Sequence, residues 1–313
     1  MSKEYQKIIA IIVTYNGKKW YDRCFGSMLN SSVPVDVVVV DNASNDDTVG
    51  YIKTNYPAVH VISSQENYGF AKANNIGMKY ALAQEADYVF LLNQDAWVEQ
   101  DTIEKLLQTF QDNDNVGIAS PVHLNGSYTG LDSGFCNYVG AACISDMYLG
   151  KLKPYYSVPM VNAAAWLISR DCIEKVGGFD TSLFKHYGED DHYAQRVLFH
   201  GMKVVINTQC TACHDREQRT DQPIDSPFNA GNPYYYYIHQ KSNVLVEYNL
   251  EQQIRSKRIA LLKSYIMLSL TKAKRLKTEI ALDQKIAHSR MINTSVGGGG
   301  LCGLKSVSYK RVI

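Results

Sequence analysis

Residues 88–95 read Tyr88-Val89-Phe90-Leu91-Leu92-Asn93-Gln94-Asp95, an apolar run of the buried-strand type that ends in a carboxylate. In open α/β sheets, ligands bind beyond the carboxyl ends of the strands. A carboxylate at such a position suits a hard divalent cation that carries a diphosphate. A second acidic group, Glu189-Asp190-Asp191, follows about 95 residues later. The two acidic groups together indicate a metal site and a general base.

Working outward from this strand, short apolar runs alternate with helix-like stretches, which predicts βαβ units around a mostly parallel sheet flanked by helices. We therefore expect an α/β fold. The predicted strands are residues 8–13, 35–40, 59–63, 88–93, 116–120, 161–169 and 203–206. The predicted helices are residues 71–84, 99–110, 189–200 and 234–248, with a short helix from Asp171. The segment between Pro121 and Pro159 has weak periodicity, and we expect loops and irregular strands there.

Composition limits the classes of protein that the chain can belong to. Its 313 residues suffice for one large α/β domain with an extension. The net charge of +1 gives no reason to expect nucleic acid as a partner. Seven cysteines argue against a disulfide framework and for a reducing compartment. The apolar run before Thr14 is too short for an export signal, so we expect a cytoplasmic protein.

The C-terminal part, residues 251–313, is predicted to be a helical extension with a flexible tail. Residues 251–291 have a helical pattern in which, after Glu251, many Lys and Arg residues are set against only Glu279 and Asp283. This basic amphipathic face suits an anionic membrane surface or a second subunit, and a solvated charged face is the third interpretation. The tail around Gly297–Gly300 has few apolar anchors.

Seven motifs resemble, in their order, those of the inverting nucleotide-sugar glycosyltransferases of the GT-A fold, the family 2 type that includes bacterial rhamnosyl- and galactofuranosyl-transferase-like enzymes. The resemblance spans roughly residues 8–245. The motifs are Val13-Thr14-Tyr15-Asn16, Val40-Asp41-Asn42-Ala43-Ser44, residues 67–75, Asn93-Gln94-Asp95, Gly177-Gly178-Phe179-Asp180, Gly188-Glu189-Asp190-Asp191 with Arg196, and His214. It implies a GT-A domain over residues 1–250, with a nucleotide-binding half at about 1–100 and an acceptor-binding half at about 101–250.

The nucleotide-sugar donor is expected at the ends of the first strands. The Asp41 carboxylate can accept the ring N–H of uracil or thymine, which favours a pyrimidine nucleotide; the alternative is that Asp41 caps the following turn. The resemblance adds Thr14 and Tyr15 as the other wall of the base pocket. The full predicted donor set is Thr14, Tyr15, Asn16, Asp41, Asn67, Gly69, Asn74, Asn93, Gln94 and Asp95. Ordinary helix capping is the alternative for residues 67–75.

The metal site departs from the family pattern. Enzymes of this kind usually carry Asp-x-Asp at the end of the fourth strand, and Asn93 replaces the first aspartate here. The resemblance implies that Asp95 and His214 hold the ion, and this donor set suits Mn²⁺ at least as well as Mg²⁺. The run Cys210-Thr211-Ala212-Cys213-His214 also has the spacing of a haem attachment site, which we reject because the chain shows no export signal.

Transfer with inversion requires a base for the acceptor hydroxyl. The family pattern makes Asp190 this base, while Glu189 orients the acceptor hydroxyls and Asp191 and Trp166 contribute to acceptor binding. Acids at a helix N-terminus are also ordinary caps, and Trp166 is equally well explained as a core residue. Arg196 either pairs with an acid or covers its helix. The Tyr234–Tyr237 run either flanks the site or packs against the last helix.

These expectations describe a glycosyltransferase that acts on a glycan or lipid-linked glycan, and the resemblance implies a role in bacterial surface polysaccharide assembly. Two alternatives stay open. A sugar nucleotidyltransferase would carry a Gly-rich phosphate loop, where Thr14-Tyr15-Asn16-Gly17 stands instead. A nucleotide-sugar or glycan-binding module without turnover is conceivable because of Asn93.

Overall fold

The computed structural model of the chain describes residues 6–184, 187–216 and 234–295. Its strands are β1 (Ile8–Thr14), β2 (Asp36–Asp41), β3 (His60–Ser63), β4 (Tyr88–Asn93), β5 (Ala96–Val98), β6 (Val116–Asn125), β7 (Tyr155–Val158), β8 (Ala165–Ser169) and β9 (Lys203–His214). Its α-helices are α1 (Tyr21–Leu29), α2 (Thr48–Asn55), α3 (Gly69–Ala83), α4 (Thr102–Asp112), α5 (Ser133–Tyr138), α6 (Gly140–Tyr148), α7 (Arg170–Val176), α8 (Glu189–Phe199), α9 (Tyr235–Ser242), α10 (Leu250–Ile266) and α11 (Leu270–Asn293).

The described strands form one mixed sheet in the order β3-β2-β1-β4-β8-β6-β9-β5, and β7 pairs with β9. The half containing β3, β2, β1 and β4 is parallel, as the βαβ pattern predicts. Beyond β4 the sheet is mixed: β8 is antiparallel to both β4 and β6, whereas β6 and β9 are parallel to each other. The predicted α/β fold with helices on the sheet is thus confirmed, and its parallel character is concentrated in the first half.

Two apolar layers hold the sheet between the helices, because successive side chains of a strand point to opposite faces. In β1, Ile9 and Ile11 join one layer, to which α3 contributes Met78. Ile12 joins the other layer together with Phe25 of α1. A strand that is apolar on both faces is typical of a buried parallel sheet, and this places the ends of β1, β2 and β4 at one edge.

The segment 121–159 differs from the expectation of loops and irregular strands. It contains α5, α6 and β7, and β6 continues to Asn125. Asp132 is the N-cap of α5, where its Oδ1 accepts the Phe135 backbone N–H at 2.8 Å. Helices of six and nine residues show too few turns for a periodic pattern to stand out. The prediction for this segment was wrong for that reason.

Strand β9 is also longer than predicted, because it continues past Ile206 to His214. Polar residues Asn207-Thr208-Gln209 interrupt its apolar pattern, and the register against β6 shifts between Pro121 and Val122. This extension matters for the site, since it carries His214 to the sheet edge.

The C-terminal helices α10 and α11 form a hairpin that docks on the α/β domain. The Asp180 carboxylate accepts hydrogen bonds from Ser289 Oγ at 2.5 Å and from Asn293 Nδ2 at 2.8 Å. Lys257 Nζ lies 2.7 Å from Asp283 Oδ2 within the hairpin. Of the helices that the structure describes, none is long and apolar enough to cross a bilayer. The domain boundary at residue 250 stays a prediction, and the predicted tail around residues 297–300 lies outside the described residues.

Candidate active site

The ends of β1, β2 and β4 bring together the first group of predicted donor residues. Thr14 pairs in register with Asp41, and Val13 with Asn93. Thr14 Oγ1 donates to Asp41 Oδ1 at 3.0 Å. Three separate motifs therefore meet at one edge of the sheet, where α/β proteins bind ligands.

Asp41 has close partners of its own within this edge. Its carboxylate accepts hydrogen bonds from the Ser44 backbone N–H at 3.1 Å and from Ser44 Oγ at 2.5 Å, and the side chain is buried. These bonds fix the turn after β2, as the capping interpretation requires. Recognition of a base by Asp41 stays a prediction.

Gln94 holds the loop after β1 in place. Its Oε1 accepts the Tyr15 backbone N–H at 2.9 Å, and its Nε2 donates to the Tyr15 carbonyl at 3.1 Å. A Cβ at Gly17 would lie 2.2 Å from Gln94 Oε1, so glycine is needed for this approach. Asn16 accepts the Asn45 backbone N–H at 3.0 Å and thereby ties this loop to the turn after β2. The Tyr15 ring remains 43% exposed and is available to a ligand.

Asn67 and Asn74 have local hydrogen-bond partners at the start of α3 and within it, although the N-cap residue Tyr68 makes no side-chain capping bond. Asn67 Oδ1 accepts the Gly69 backbone N–H at 2.9 Å, where Gly69 has a φ of 76°. Asn74 is buried and donates to the Phe70 carbonyl at 3.0 Å. Direct contacts of these residues with a donor stay predictions.

Asn75 was not among the predicted site residues, and it joins the motif of residues 67–75 to the Gly177–Asp180 turn. Its Oδ1 accepts the Phe179 backbone N–H at 2.7 Å, and its Nδ2 donates to the Phe179 carbonyl at 2.9 Å. The pattern of two adjacent asparagines gave no sign of which one faces the core. Asn75 therefore has a structural role in seating the Gly177–Asp180 turn on α3.

Asp95 and His214, the two predicted metal ligands, lie side by side. Asp95 Oδ1 is 3.5 Å from His214 Nε2, and Asn93 Nδ2 is 3.3 Å from the same nitrogen. Strand pairing brings them together, because Ala96 of β5 lies opposite His214 of β9. The sequence separation of these residues is large, yet their side chains face one buried point.

The other ring nitrogen of His214 faces a second carboxylate. His214 Nδ1 is 3.5 Å from Asp132 Oδ2, and Arg216 Nε is 2.9 Å from the same oxygen. Burial alone would raise the pKa of Asp132, but His214 and Arg216 outweigh it and hold this pKa well below its usual range. A carboxylate that orients a histidine in this way is the common support of a metal-ligating imidazole.

This donor set fits a divalent cation that is completed by phosphates. Among the described residues, no three His, Cys, Asp or Glu side chains are grouped as a full protein cage. Mg²⁺ sites of nucleotide enzymes commonly use one or two carboxylates together with substrate phosphates and waters. Asp95 and His214, with Asp132 behind the imidazole, suit this arrangement and suit Mn²⁺ through the nitrogen ligand. Asp132 was missed because its segment was read as a loop, although its N-cap position before Ser133 was a usable signal.

The acidic group begins α8, which starts after Gly188 in the left-handed conformation, with φ of 87°. Burial, and then the charge of Asp190, raises the pKa of Glu189 to about 8. Burial also raises the pKa of Asp190 above its ordinary value. Asp190 Oδ1 accepts the Asp191 backbone N–H at 2.9 Å, so its carboxyl is held at the helix N-terminus. Two neighbouring acids with raised pKa values, of which Glu189 is buried and Asp190 is partly buried, are the pattern expected of a general base and its neighbour.

The metal-side and base-side groups share neighbours. Arg216, which contacts Asp132, is close enough to oppose the rise in the pKa of Asp190. The pKa of Tyr138 is raised first by burial, and the charges of both Asp190 and Asp132 act on it as well. The charge of Arg216 thus acts both on Asp132, which supports His214, and on Asp190, and we call these four residues the charged cluster.

Asp191 faces away from this cluster toward α9. Its carboxylate contacts His239 Nε2 and accepts Gln195 Nε2 at 2.9 Å. The hydrogen bond to Asp191 raises the pKa of His239, although burial opposes it. The tyrosine run 234–237 both flanks the acidic group and packs against the last helix. Tyr235 is buried with its hydroxyl beside Gly188, whereas Tyr237 donates to Asp283 of α11.

Two predicted residues prove to be structural. Trp166 is 0% exposed, and its ring lies between Phe179, at a centroid distance of 6.3 Å, and Tyr193, at 6.1 Å. An enclosed ring has no face for a sugar, so we correct its assignment from acceptor binding to the core. Arg196 is buried and donates to the Gly178 carbonyl at 2.7 Å and to the Val176 carbonyl. It therefore holds the end of α7, and within the described part of the chain it neither pairs directly with an acid nor covers its own helix.

Known proteins resemble this chain in sequence and in fold. A family model described as Glycosyl transferase family 2 matches residues 9–177, more than half of the chain. The dTDP-rhamnosyl transferase RfbF of Shigella flexneri is 29% identical over 199 residues, which cover 64% of this chain and 66% of that protein. The O-antigen chain rhamnosyltransferase WbaN of Salmonella anatum is 25% identical over 227 residues, with coverages of 71% and 70%. The chain thus spans just under two thirds of the first relative's length.

Solved structures extend the likeness to the C-terminal helices. The mannosyltransferase PcManGT from Pyrobaculum calidifontis, solved with GDP-Man and Mn²⁺, has a TM-score of 0.54 at 16% identity over 93% of this chain and 88% of that one. GalNAc-T7, solved with UDP, GalNAc and Mn²⁺, has a TM-score of 0.56 at 20% identity over 68% and 44%. These structural matches, at such low sequence identity, establish the GT-A fold and nothing finer. With the match over residues 9–177, they lead to one identification: the chain belongs to glycosyl transferase family 2.

Proposed function

We propose that this protein transfers a sugar from a UDP- or dTDP-linked donor to a glycan or lipid-linked glycan acceptor, with inversion at the sugar carbon. The observation that carries the proposal is the 3.5 Å approach of Asp95 to His214 at the sheet edge, in the charged cluster that includes Asp190. We further propose that it acts at the cytoplasmic face of the membrane in bacterial surface polysaccharide assembly, since two relatives are named as rhamnosyltransferases, one of them of the O-antigen chain.

In the proposed reaction, Asp190 acts as the base. An acceptor hydroxyl oxygen attacks the anomeric carbon, its proton passes to the Asp190 carboxylate, and the bond from that carbon to the diphosphate oxygen breaks with its electron pair on the departing nucleotide. A partly buried carboxylate with a raised pKa accepts a proton near neutral pH more readily than a carboxylate with the ordinary pKa. Glu189, whose pKa is raised to about 8, stays protonated at neutral pH and can donate a hydrogen bond to another acceptor oxygen.

Asp95 and His214 would hold Mn²⁺ or Mg²⁺. The ion, when bound, would neutralise the charge that develops on the departing diphosphate. Asp132, which pairs with Arg216, faces the other ring nitrogen of His214 and keeps the imidazole oriented. The amide of Asn93 adds polar contact without adding charge, so metal affinity depends chiefly on the other two side chains.

The donor's base is expected against Tyr15 and the turn after β2. The exposed Tyr15 ring offers a stacking face, and the backbone around it is held by Gln94. The name of the Shigella flexneri relative, a dTDP-rhamnosyl transferase, favours thymidine or uridine donors.

A donor panel with a transfer assay tests the proposal. UDP-, dTDP- and GDP-sugars are compared by thermal shift in the presence of Mn²⁺, because a ligand at 100 times its dissociation constant adds about 2.7 kcal/mol to the free energy of unfolding. A pyrimidine donor should shift the melting temperature most and should release its nucleoside diphosphate when an acceptor is supplied. A binding module without turnover would give the shift and no product, and a nucleotidyltransferase would release pyrophosphate from a nucleoside triphosphate instead.

A further inference from the structure

The hairpin of α10 and α11 exposes large apolar side chains at its turn. Ile266, Met267, Leu268 and Leu270 are 75%, 77%, 84% and 71% exposed. We call these four residues the apolar tip. Leu262, one turn earlier on α10, is 64% exposed. Single exposed apolar residues are common on protein surfaces, but a contiguous group of this kind marks a surface that is covered by something.

Cations surround the apolar tip without any acid among them. Between Gln252 and Thr278 the chain has eight Lys and Arg residues and no Asp or Glu, and two of the eight, Lys257 and Arg275, pair with Glu279 farther along α11. Four exposed lysines near the turn, Lys263, Lys272, Lys274 and Lys277, form what we call the basic rim. Lysine stems can lie along an apolar surface while their ammonium groups reach outward. The combination of an apolar centre and a cationic margin complements an anionic, partly apolar surface.

The rest of the protein holds this tip at a distance from the point where α11 is anchored. The other end of α11 is fixed on the α/β domain by Ser289 and Asn293, which both donate to Asp180. Leu270 lies 19 residues before Ser289 on the same helix, so the tip stands about 28 Å from that anchor. The turn itself is closed by the Ser269 backbone N–H, which donates to the Ser264 carbonyl at 2.8 Å. The tip is therefore a fixed projection and not a loose segment.

We infer that the apolar tip inserts into the interfacial region of an anionic lipid bilayer, with the basic rim on the lipid headgroups. A second copy of this chain is the less suitable occupant, because a two-fold contact through the tip would set the same basic rim against itself with no acid to compensate. Peripheral insertion needs only the turn and the neighbouring lysines, and it leaves the other end of α11 anchored on the α/β domain. The inference goes beyond the proposed transferase activity and is testable without it.

Vesicle binding by the full chain tests this inference. Flotation is measured with phosphatidylcholine vesicles and with vesicles that contain about 30% phosphatidylglycerol, at low and high salt. We expect binding to the anionic vesicles only, and weaker binding at high salt. The tip variant Met267→Ser/Leu268→Asn should lose it, and asparagine is chosen because Leu268 has a φ of 54°, which asparagine tolerates. The rim variant Lys272→Gln/Lys274→Gln should bind about 25-fold more weakly, at about fivefold for each charge.

Matched controls separate the tip from general surface effects. Leu149→Ser removes another exposed leucine, at the end of α6, and Lys53→Gln/Lys151→Gln removes two exposed lysines elsewhere. Both controls should bind vesicles as the unmodified protein does, and the melting temperature of every variant should stay within a few degrees. Three results would each overturn the inference. The first is equal vesicle binding by the tip variant, and the second is equal binding of the unmodified protein to neutral vesicles. The third is a dimer in sedimentation that the tip variant abolishes, together with no binding to vesicles.

Discussion

Replacing Glu189 by glutamine should remove a pH-dependent cost from the folded state. Burial and the neighbouring Asp190 raise the pKa of Glu189 from 4.5 to about 8, so the folded protein keeps this carboxyl protonated where the unfolded chain ionises it. One pKa unit corresponds to about 1.4 kcal/mol, and pH 7 is about 2.5 units above the ordinary pKa, so the cost at pH 7 is up to about 3 kcal/mol. Because the folded pKa is the higher one, stability is greatest below about pH 4.5 and declines until about pH 8.

Urea unfolding at pH 5 and pH 8 measures this effect. We expect Glu189→Gln to gain stability relative to the unmodified protein as the pH rises, by about 2 to 3 kcal/mol between the two conditions. The difference between the two pH values is diagnostic, because any packing defect of the glutamine is the same at both. Glu85→Gln, at an exposed position, serves as the control and should leave the pH dependence unchanged. A difference that stays constant within about 0.5 kcal/mol would refute the buried, protonated state.

Three further predictions concern the supports of the site. Asp132→Asn keeps a good N-cap for α5 but removes the charge behind His214, so the Mn²⁺ concentration needed for half-maximal activity should rise about 10- to 100-fold. The melting temperature should fall as well, because the lowered pKa of Asp132 means that its charge stabilises the folded state. Asn293→Ala should lower the free energy of unfolding by about 1 to 3 kcal/mol in urea titrations, since it leaves a buried carboxylate with fewer donors. Gly17→Ala forces Gln94 off the loop after β1 and should weaken donor binding in calorimetry. Gly26→Ala, which meets no atom within 4 Å, is its control and should bind the donor normally.

Most of the parallel half of the fold was predictable from sequence because β1, β2 and β4 are nearly continuous apolar runs that end at polar residues. Strand β4 matches its predicted bounds, residues 88–93, and β1 differs by one residue. The second half depends on pairings between distant segments. The antiparallel insertion of β8 between β4 and β6, for example, leaves no local pattern.

The part of the site that lies at the ends of strands was predictable from the sequence. Asp95 and His214 were paired by motif order, and their 3.5 Å approach agrees with that pairing. Asp132 escaped because short helices carry too little periodicity, and its link to His214 exists only in three dimensions. Trp166 was assigned to the acceptor site, but it is fully buried in the core. Its position in a strand does not show which face of the sheet the side chain points to or which face the core covers.

The most direct test of the central claim is the turnover of Asp190→Asn with its pyrimidine donor and acceptor. Steady-state transfer is measured with Mn²⁺ present, and donor affinity is measured separately by calorimetry. Loss of the base should lower kcat by about 10² to 10⁴ while donor affinity stays within about threefold. Transfer at the unmodified rate by Asp190→Asn would contradict the assignment of Asp190 as the base.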